Sequence, residues 1–160
     1  MAPFPSLLMP FRSPHGQPRL PQGYTLLHQP ELCWDRLNVL LEHCGEQQRP
    51  HARWQRALER SSWHLGVVNG SGLLVGFLRV TSDQALNANI WDLLVDPQDP
   101  ARGDVIPALV QTALARLRRE MAGCSVSLAA PPEALDALTR AGFVVDPGGI
   151  RAMGLTLRQP

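Results

Sequence analysis

The chain has 160 residues, with 15 Lys and Arg against 14 Asp and Glu, and a net charge of +1 at neutral pH. That length suits one domain burying roughly two thirds of its unfolded surface, and near-neutrality excludes a broad attraction to nucleic acid or anionic lipid. No apolar stretch approaches the ~20 residues that cross a bilayer, so no membrane span is expected.

Prolines stand at positions 3, 5, 10, 14, 18 and 21. Each fixes φ and removes a backbone donor, so residues 1–22 are expected as an extended arm outside a domain at 23–160. The segment lacks a leading basic cluster, and no secretory signal is expected there. Two readings of it stay open: a solvated tail, or an arm that docks a protein partner through Phe4, Leu7, Leu8 and Phe11. From Gly23 the pattern predicts a strand over Tyr24–Gln29 and a helix near Glu31–His43. Leu32, Leu37, Leu40 and Leu41 share one side of that helix, which Gly45 closes. A second helix is expected over Pro50–Arg60, with Trp54, Ala57 and Leu58 inward. His64–Val68 and Leu73–Val80 are apolar runs separated by Asn69-Gly70-Ser71-Gly72, which predicts an antiparallel hairpin.

Residues 87–95, NANIWDLLV, hold Ile90, Trp91, Leu93, Leu94 and Val95 with Asp92 as the one charge, stopped by Asp96-Pro97. Such a run suits a central strand buried on both faces. Around and after Pro107, the positions Ile106, Leu109, Val110, Ala113, Leu114 and Leu117 recur every three or four residues, so an amphipathic helix packs on the sheet. Unpaired N–H groups at such a helix start form an anion site. Further strands are expected at Ser125–Ala129, Phe143–Val145 and Arg151–Leu157, with a short helix over Pro132–Arg140. The fold class is therefore α/β: a mixed sheet with antiparallel N-terminal strands, a parallel central pair and flanking helices. All four tryptophans are expected in the core. Cys33 and Cys44 fall on one face of the first helix, and the three cysteines form no CxxC pair, as in a reducing cytoplasm. The histidines lack metal-ligand spacing, so no metal is expected.

Two blocks carry a family likeness: VGFLRVTSDQALNANIWDLLVDP (75–97) and AGFVVDPGGIRAMGL (141–155). The chain resembles the GNAT acetyltransferase superfamily, and within it the cyanobacterial and plastid group that includes serotonin N-acetyltransferase-like enzymes. The likeness covers roughly the last hundred residues. It implies the GNAT fold and acetyl-CoA as cofactor, with the pantetheine arm held by the backbone of Leu93, Leu94 and Val95. It also implies a pyrophosphate loop at ARGDVIPALV (101–110). The family pattern there is Gln or Arg, two residues, Gly, one residue, Gly or Ala, whose glycines bring N–H groups close to the phosphates. Arg102 and Gly103 stand for its opening, but the later glycines are replaced within Asp104, Val105, Ile106 and Pro107. Asp104 is expected as an N-cap whose carboxylate takes the N–H groups meant for phosphate. A carboxylate about 5 Å from a phosphate charge costs about 3 kcal/mol at an effective dielectric near 20.

The likeness implies two more departures. Leu138 stands where the family has a proton-donating Tyr, and Pro131 stands where it has a polar residue after the fifth strand. Thr139, Ser127 or water would have to substitute. Asp92 keeps two readings open, a base poised by burial or a partner of an arginine. Asp136 matches an acidic family position and is expected at the surface. The implied function is an acetyl-CoA-dependent N-acetyltransferase with activity weakened or lost through the loop, acting on a protein N-terminus, a lysine or a small arylalkylamine. The alternative is a non-catalytic GNAT fold serving as a binding or assembly factor through its arm and sheet surface.

Overall fold

A computed structural model describes residues 19–151, 153–155 and 157, and the docking segment expected within residues 1–22 lies almost wholly outside them. Five strands form one sheet in chain order: β1 Thr25–His28, β2 Trp63–Val68, β3 Leu74–Ser82, β4 Asn87–Val95 and β5 Ser125–Leu128. The first four pair antiparallel, and β5 joins β4 in parallel. That parallel step requires a crossover, supplied by the long helix α3, Arg102–Glu120. Helices α1, Trp34–His43, and α2, His51–Glu59, precede β2, while α4, Leu135–Arg140, follows β5.

Strand alternation sends neighbouring side chains to opposite faces, so the sheet supports two cores. Leu78, Val80 and Ile90 pack with Val105, Leu109 and Ala113 of α3. Phe77 and Leu94 pack with Leu37, Leu40, Leu41 and Trp54 of α1 and α2. Each fully buried side chain of this kind contributes about 1.5–3 kcal/mol. Helix α3 comes closest at Gly76, where an added Cβ would lie 2.8 Å from Val105 Cγ1 and 3.0 Å from Leu109 Cδ1. The hairpin between β2 and β3 forms where expected. Asn69 Oδ1 accepts from the N–H groups of Ser71 at 3.0 Å and Leu73 at 3.1 Å, which closes the turn.

Several expectations need correction. Helix α3 begins at Arg102, before Pro107 rather than around it, and carries that proline inside its second turn. Position 107 lies past the orphan N–H groups of the helix start, so the proline leaves the Gly103 carbonyl without its usual donor, and packing of the apolar face on the sheet carries the helix through it. Phe143–Val145 is not a strand: Val144 and Val145 stay exposed, and Asp146, Gly148 and Gly149 all have positive φ. Such left-handed residues cannot continue a strand. Arg151, Met153, Gly154, Leu155 and Leu157 also lie in no strand, while the rest of Arg151–Leu157 falls outside the described residues. Trp54 and Trp63 are buried as expected, but Trp91 is 43% exposed. Cys33 and Cys44 flank α1 as its two caps instead of sharing a face within it. Among the described residues, no helix is long and apolar enough to cross a membrane.

Candidate active site

The two halves of β4 have different neighbours. Its first half pairs with β5 from Asn87↔Ser125 to Ile90↔Leu128, and the ladder stops there. Beyond Leu128 come Ala129-Ala130-Pro131-Pro132, and prolines cannot donate to a ladder. Residues Trp91–Val95 keep β3 on one side and have no strand on the other among the described residues.

A bulge sits where the halves meet. Phe77 pairs with Leu94 and Arg79 with Trp91, so Leu78 faces both Asp92 and Leu93. Asp92 takes φ +52, a left-handed conformation that Asp tolerates better than most residues. A bulge bends its strand and adds twist, which turns the second half of β4 away from β5. Past the bulge, the Asp96 N–H donates to the Val75 carbonyl at 2.9 Å. The adjoining pair, Val95 and Gly76, is then of the non-hydrogen-bonded kind, and the N–H and C=O of Val95 project to the open side. The Cys44 thiol reaches that carbonyl at 3.4 Å. Burial pushes this thiol up to about 11, so it remains protonated near neutrality and acts as a donor, not a nucleophile.

Of the two readings of Asp92, the structure shows the arginine partner. Arg49 Nη1 donates to its Oδ1 at 2.8 Å and Arg79 Nε to its Oδ2 at 2.6 Å, with the Asp92 side chain only 9% exposed. Arg49 is held in turn through its backbone. The Asn38 amide donates to the Arg49 carbonyl, and Asn38 Oδ1 accepts from the Arg49 N–H and from Trp54 Nε1, all at 2.9–3.0 Å. Arg79 lies 5.8 Å from the Trp91 ring, whose Nε1 donates to Thr81 Oγ1 at 2.8 Å. Neither Arg49 nor Arg79 stood out in the sequence, because they meet Asp92 across 43 and 13 residues.

The loop that follows β4 is closed on itself. Asp96 Oδ1 accepts from the Gln98 N–H at 2.9 Å, and Asp99 Oδ1 from the Ala101 N–H at 2.8 Å. The Asp99 carbonyl takes the Arg102 N–H at 3.2 Å; the Ala101 carbonyl takes those of Asp104 and Val105 at 2.9 and 3.0 Å. Among the described residues in this turn, the Gly103 N–H alone lacks a partner. Asp99 is itself buried and accepts from the Tyr24 hydroxyl at 2.9 Å, which anchors the loop beneath β1. Desolvation and this bond raise the Tyr24 pKa. The Arg102 guanidinium folds back onto the Pro97 carbonyl at 3.0 Å.

These contacts revise the expected cap. Ala101 is the N-cap of α3, and Asp104 lies exposed in its first turn. Asp99 lies further back and its carboxylate takes the N–H of Ala101 itself, so no side chain caps the helix. Val105 and Ile106 point into the core, so only Arg102, Gly103 and Asp104 of the expected phosphate residues face solvent. Leu138 is buried against the α3 core, and Asp136 pairs at the surface with Arg140. A pocket of about 110 Å³ lined by Leu27, Pro30, Cys33, Arg36 and Leu74 lies by the β2–β3 hairpin.

No protein-family model matches the chain. It is 31% identical to the uncharacterized N-acetyltransferase ycf52 of Porphyra purpurea over 120 residues, which cover 73% of this chain and 68% of that one. It is also 31% identical to GCN5-related N-acetyltransferase 1, chloroplastic, of Arabidopsis thaliana, covering 86% and 70%. The chloroplastic serotonin N-acetyltransferase 2 of Oryza sativa is 32% identical over 73% of this chain and 59% of its own. Among solved structures, a Staphylococcus aureus protein of unknown function, described as a probable acetyltransferase, superposes with a TM-score of 0.71. It is 16% identical, with 84% of this chain and 99% of that one covered. The Escherichia coli GNAT family N-acetyltransferase YhbS, solved in complex with CoA, has a TM-score of 0.58 and 18% identity. That superposition covers 78% of this chain and 71% of that one.

Proposed function

Because the chain belongs to the GCN5-related N-acetyltransferase (GNAT) family of acyltransferases, we propose that it moves an acetyl group from acetyl-CoA to a primary amine. The observation that carries this reading is the open side of β4 at Trp91–Val95, with the Val95 N–H directed outward. An amide-bearing arm can add there as a strand would, through backbone contacts that no side-chain change removes.

The residues present fit coenzyme A unequally at the two ends of this groove. The backbone of Leu93, Leu94 and Val95 would hold the pantetheine amides. Arg102, swung off the Pro97 carbonyl, and the unpartnered Gly103 N–H would meet the pyrophosphate beside Asp104, while Val105, Ile106 and Pro107 set the helix start behind them. When bound, the cofactor supplies the acyl carbonyl that the amine attacks and the thiolate that leaves.

The chain's own groups divide the remaining work. Both oxygens of Asp92 already hold guanidinium donors, so in this reading its part in catalysis is to fix the bulge. An ordered water takes the amine proton. Buried Leu138 offers no proton to the leaving group, so water serves there as well, and turnover is slow because general acid catalysis typically supplies ~10²- to 10⁴-fold. The acceptor is a protein N-terminus, a lysine or a small arylalkylamine, consistent with the serotonin acetyltransferase among the relatives. The free cysteines suit a reducing compartment such as the cytoplasm.

A second reading, a GNAT fold kept as a binding or assembly factor, is favoured by one observation, the self-satisfied loop at 96–104. Thermal melting separates the two. A ligand at a hundred times its dissociation constant stabilises by about 2.7 kcal/mol, so the midpoint should rise with millimolar acetyl-CoA. No rise at that concentration would remove the enzyme reading.

A further inference from the structure

Helix α2 and its flanks carry an unusual concentration of charge for a chain of net +1. Arg53, Arg56 and Arg60 follow one another at i, i+3 and i+7, which places them along one side of the helix, while Trp54 faces the sheet. All three are exposed, and among the described residues none has a carboxylate partner. Among the described residues, Arg36 and Arg102 also lack a carboxylate but are held by the Gly72 and Pro97 carbonyls, and Arg118 has no carboxylate either. Arg49, Arg79, Arg116, Arg119 and Arg140 each hold a carboxylate within 3.2 Å. The one carboxylate on α2, Glu59, is engaged by Gln55 at 2.9 Å. Arg56 in the last turn and Arg60 at the C-cap lie where the helix dipole favours cations, which offsets the mutual repulsion within the row.

The row also has a direction. It begins beside Arg49, two residues before α2, whose guanidinium sits on Asp92 at the bulge of β4. Its far end, Arg60, adjoins Ser61, whose hydroxyl lies 3.5 Å from the Arg79 guanidinium, so the row borders the Asp92 cluster at both ends. Arg53 to Arg60 spans roughly 10 Å along the helix, and an extended peptide places alternate side chains roughly 6.6–6.8 Å apart. Two or three alternate carboxylates of an extended segment therefore match the row, and the guanidinium fork suits carboxylate in bidentate geometry.

We infer that the acceptor is an acidic polypeptide, its amino terminus at the β4 opening and its alternate carboxylates on Arg53, Arg56 and Arg60. This names the substrate class of the site under Proposed function and rests on that reading. Binding is nonetheless measurable without the cofactor, so the two can fail separately. The probe is a ten-residue peptide with a free amino terminus, Glu at alternate positions and a fluorophore at its carboxyl end, followed by anisotropy without acetyl-CoA. A counterpart with Lys in place of Glu serves as control. The acidic peptide should bind at least tenfold more tightly than the basic one, weaken as salt is added, and lose at least tenfold in affinity to R53E/R56E/R60E. The neutral variant R53Q/R56Q/R60Q should fall between, with both variants melting as the parent does. Equal affinity for the two peptides, or no change in either variant, would overturn the inference. So would tighter binding of a single-stranded oligonucleotide of equal charge, which would make the partner a nucleic acid. Because the chain contains no lysine, acetyl transfer to the same peptide can then be read without acetylation of side-chain amines on the enzyme itself. Peptide binding without transfer would sink the acetyltransferase reading and leave this one standing.

Discussion

The two ends of the groove beside β4 are built on opposite principles. At the strand end, Trp91–Val95 present main-chain groups to an empty side, and the presentation depends on register and on one bulge. At the loop end, Asp96 and Asp99 turn their carboxylates inward and satisfy the N–H groups of Gln98 and Ala101. A backbone edge keeps its chemistry whichever side chains it carries, whereas a phosphate loop works only when nothing of its own fills it. Each internal bond is worth about 1 kcal/mol net, so an incoming phosphate displaces structure here instead of entering a vacant nest.

The contrast breaks most severely at Gly76, because both ends depend on α3 lying close to the sheet. In Gly76→Val the added carbon would start 2.8 Å from Val105 and 3.3 Å from Val67 Cβ. Overpacking of this kind costs about 3 kcal/mol, and the helix start at Arg102 should shift with it. A urea midpoint unchanged from the parent would show that α3 is not set by this approach.

Asp92 ranks next, and three substitutions separate its roles. Asp92→Leu abandons two guanidiniums and keeps the strained φ. About 2 kcal/mol is expected, less than for a fully buried pair because Arg49 is 35% exposed and water can replace its partner. Asp92→Gly loses the same pairs but relieves the left-handed strain, so it should cost about 1 kcal/mol less than Leu. Asp92→Asn, which tolerates the same φ and still accepts from one arginine, should be the mildest. If Gly and Leu melt alike, the bulge is not strained. If Asn abolishes transfer while leaving stability and acetyl-CoA binding intact, Asp92 is a base after all.

How far this site could be read from the sequence follows the same division. The strand at 87–95, the hairpin at Asn69–Gly72 and the two amphipathic faces of α1 and α3 were legible because period and turn chemistry are local signals. Asp92 was visible as a lone charge in an apolar run. Its partners were not, since Arg49 reaches it from the α1–α2 connection and Arg79 from β3 across the bulge, and neither contact leaves a local signal. The cap expected at Asp104 does not form: α3 starts two residues before it without a side-chain cap, and Asp99 holds the cap residue Ala101 from beneath Tyr24, a placement no local signal announces. Phe143–Val145 has the composition of a strand, but strand residues need a partner strand, and the left-handed run at Asp146–Gly149 carries the chain elsewhere.

Changes in the loop should sharpen the contrast with smaller effects. Asp99→Ala strands the Tyr24 hydroxyl and the Ala101 N–H, at a cost of about 1–2 kcal/mol. It should leave acetyl-CoA affinity unchanged, since the stranded Ala101 N–H is buried and faces inward. Asp104→Gly removes an exposed carboxylate from the helix start. About 0.5 kcal/mol of helix stability is lost, and acetyl-CoA affinity should rise up to about tenfold, as less than half of a 3 kcal/mol repulsion survives solvent screening. A glycine at Ile106 is not a useful companion, because that side chain belongs to the core. Titration calorimetry on both variants checks the expectation, and an unchanged affinity in Asp104→Gly would place the phosphates away from this turn.

The smallest effect lies at Cys44, where the strand end can be tested alone. Burial holds its thiol pKa at about 11 against an ordinary 9.0. A folded-state pKa above the unfolded one means that the native chain holds this proton more tightly. The contribution is complete below pH 9 and is lost as pH rises toward 11. The melting midpoint of the parent should therefore fall through that window more steeply than that of Cys44→Ala, and identical slopes would refute the assignment. Alkylation at pH 8 should modify exposed Cys33 well before Cys44. Cys44→Ala also leaves the outward Val95 carbonyl without its donor. If an arm binds along this edge as an added strand, that carbonyl gains a free lone pair for it, and acetyl-CoA affinity should hold or rise even as stability drops slightly.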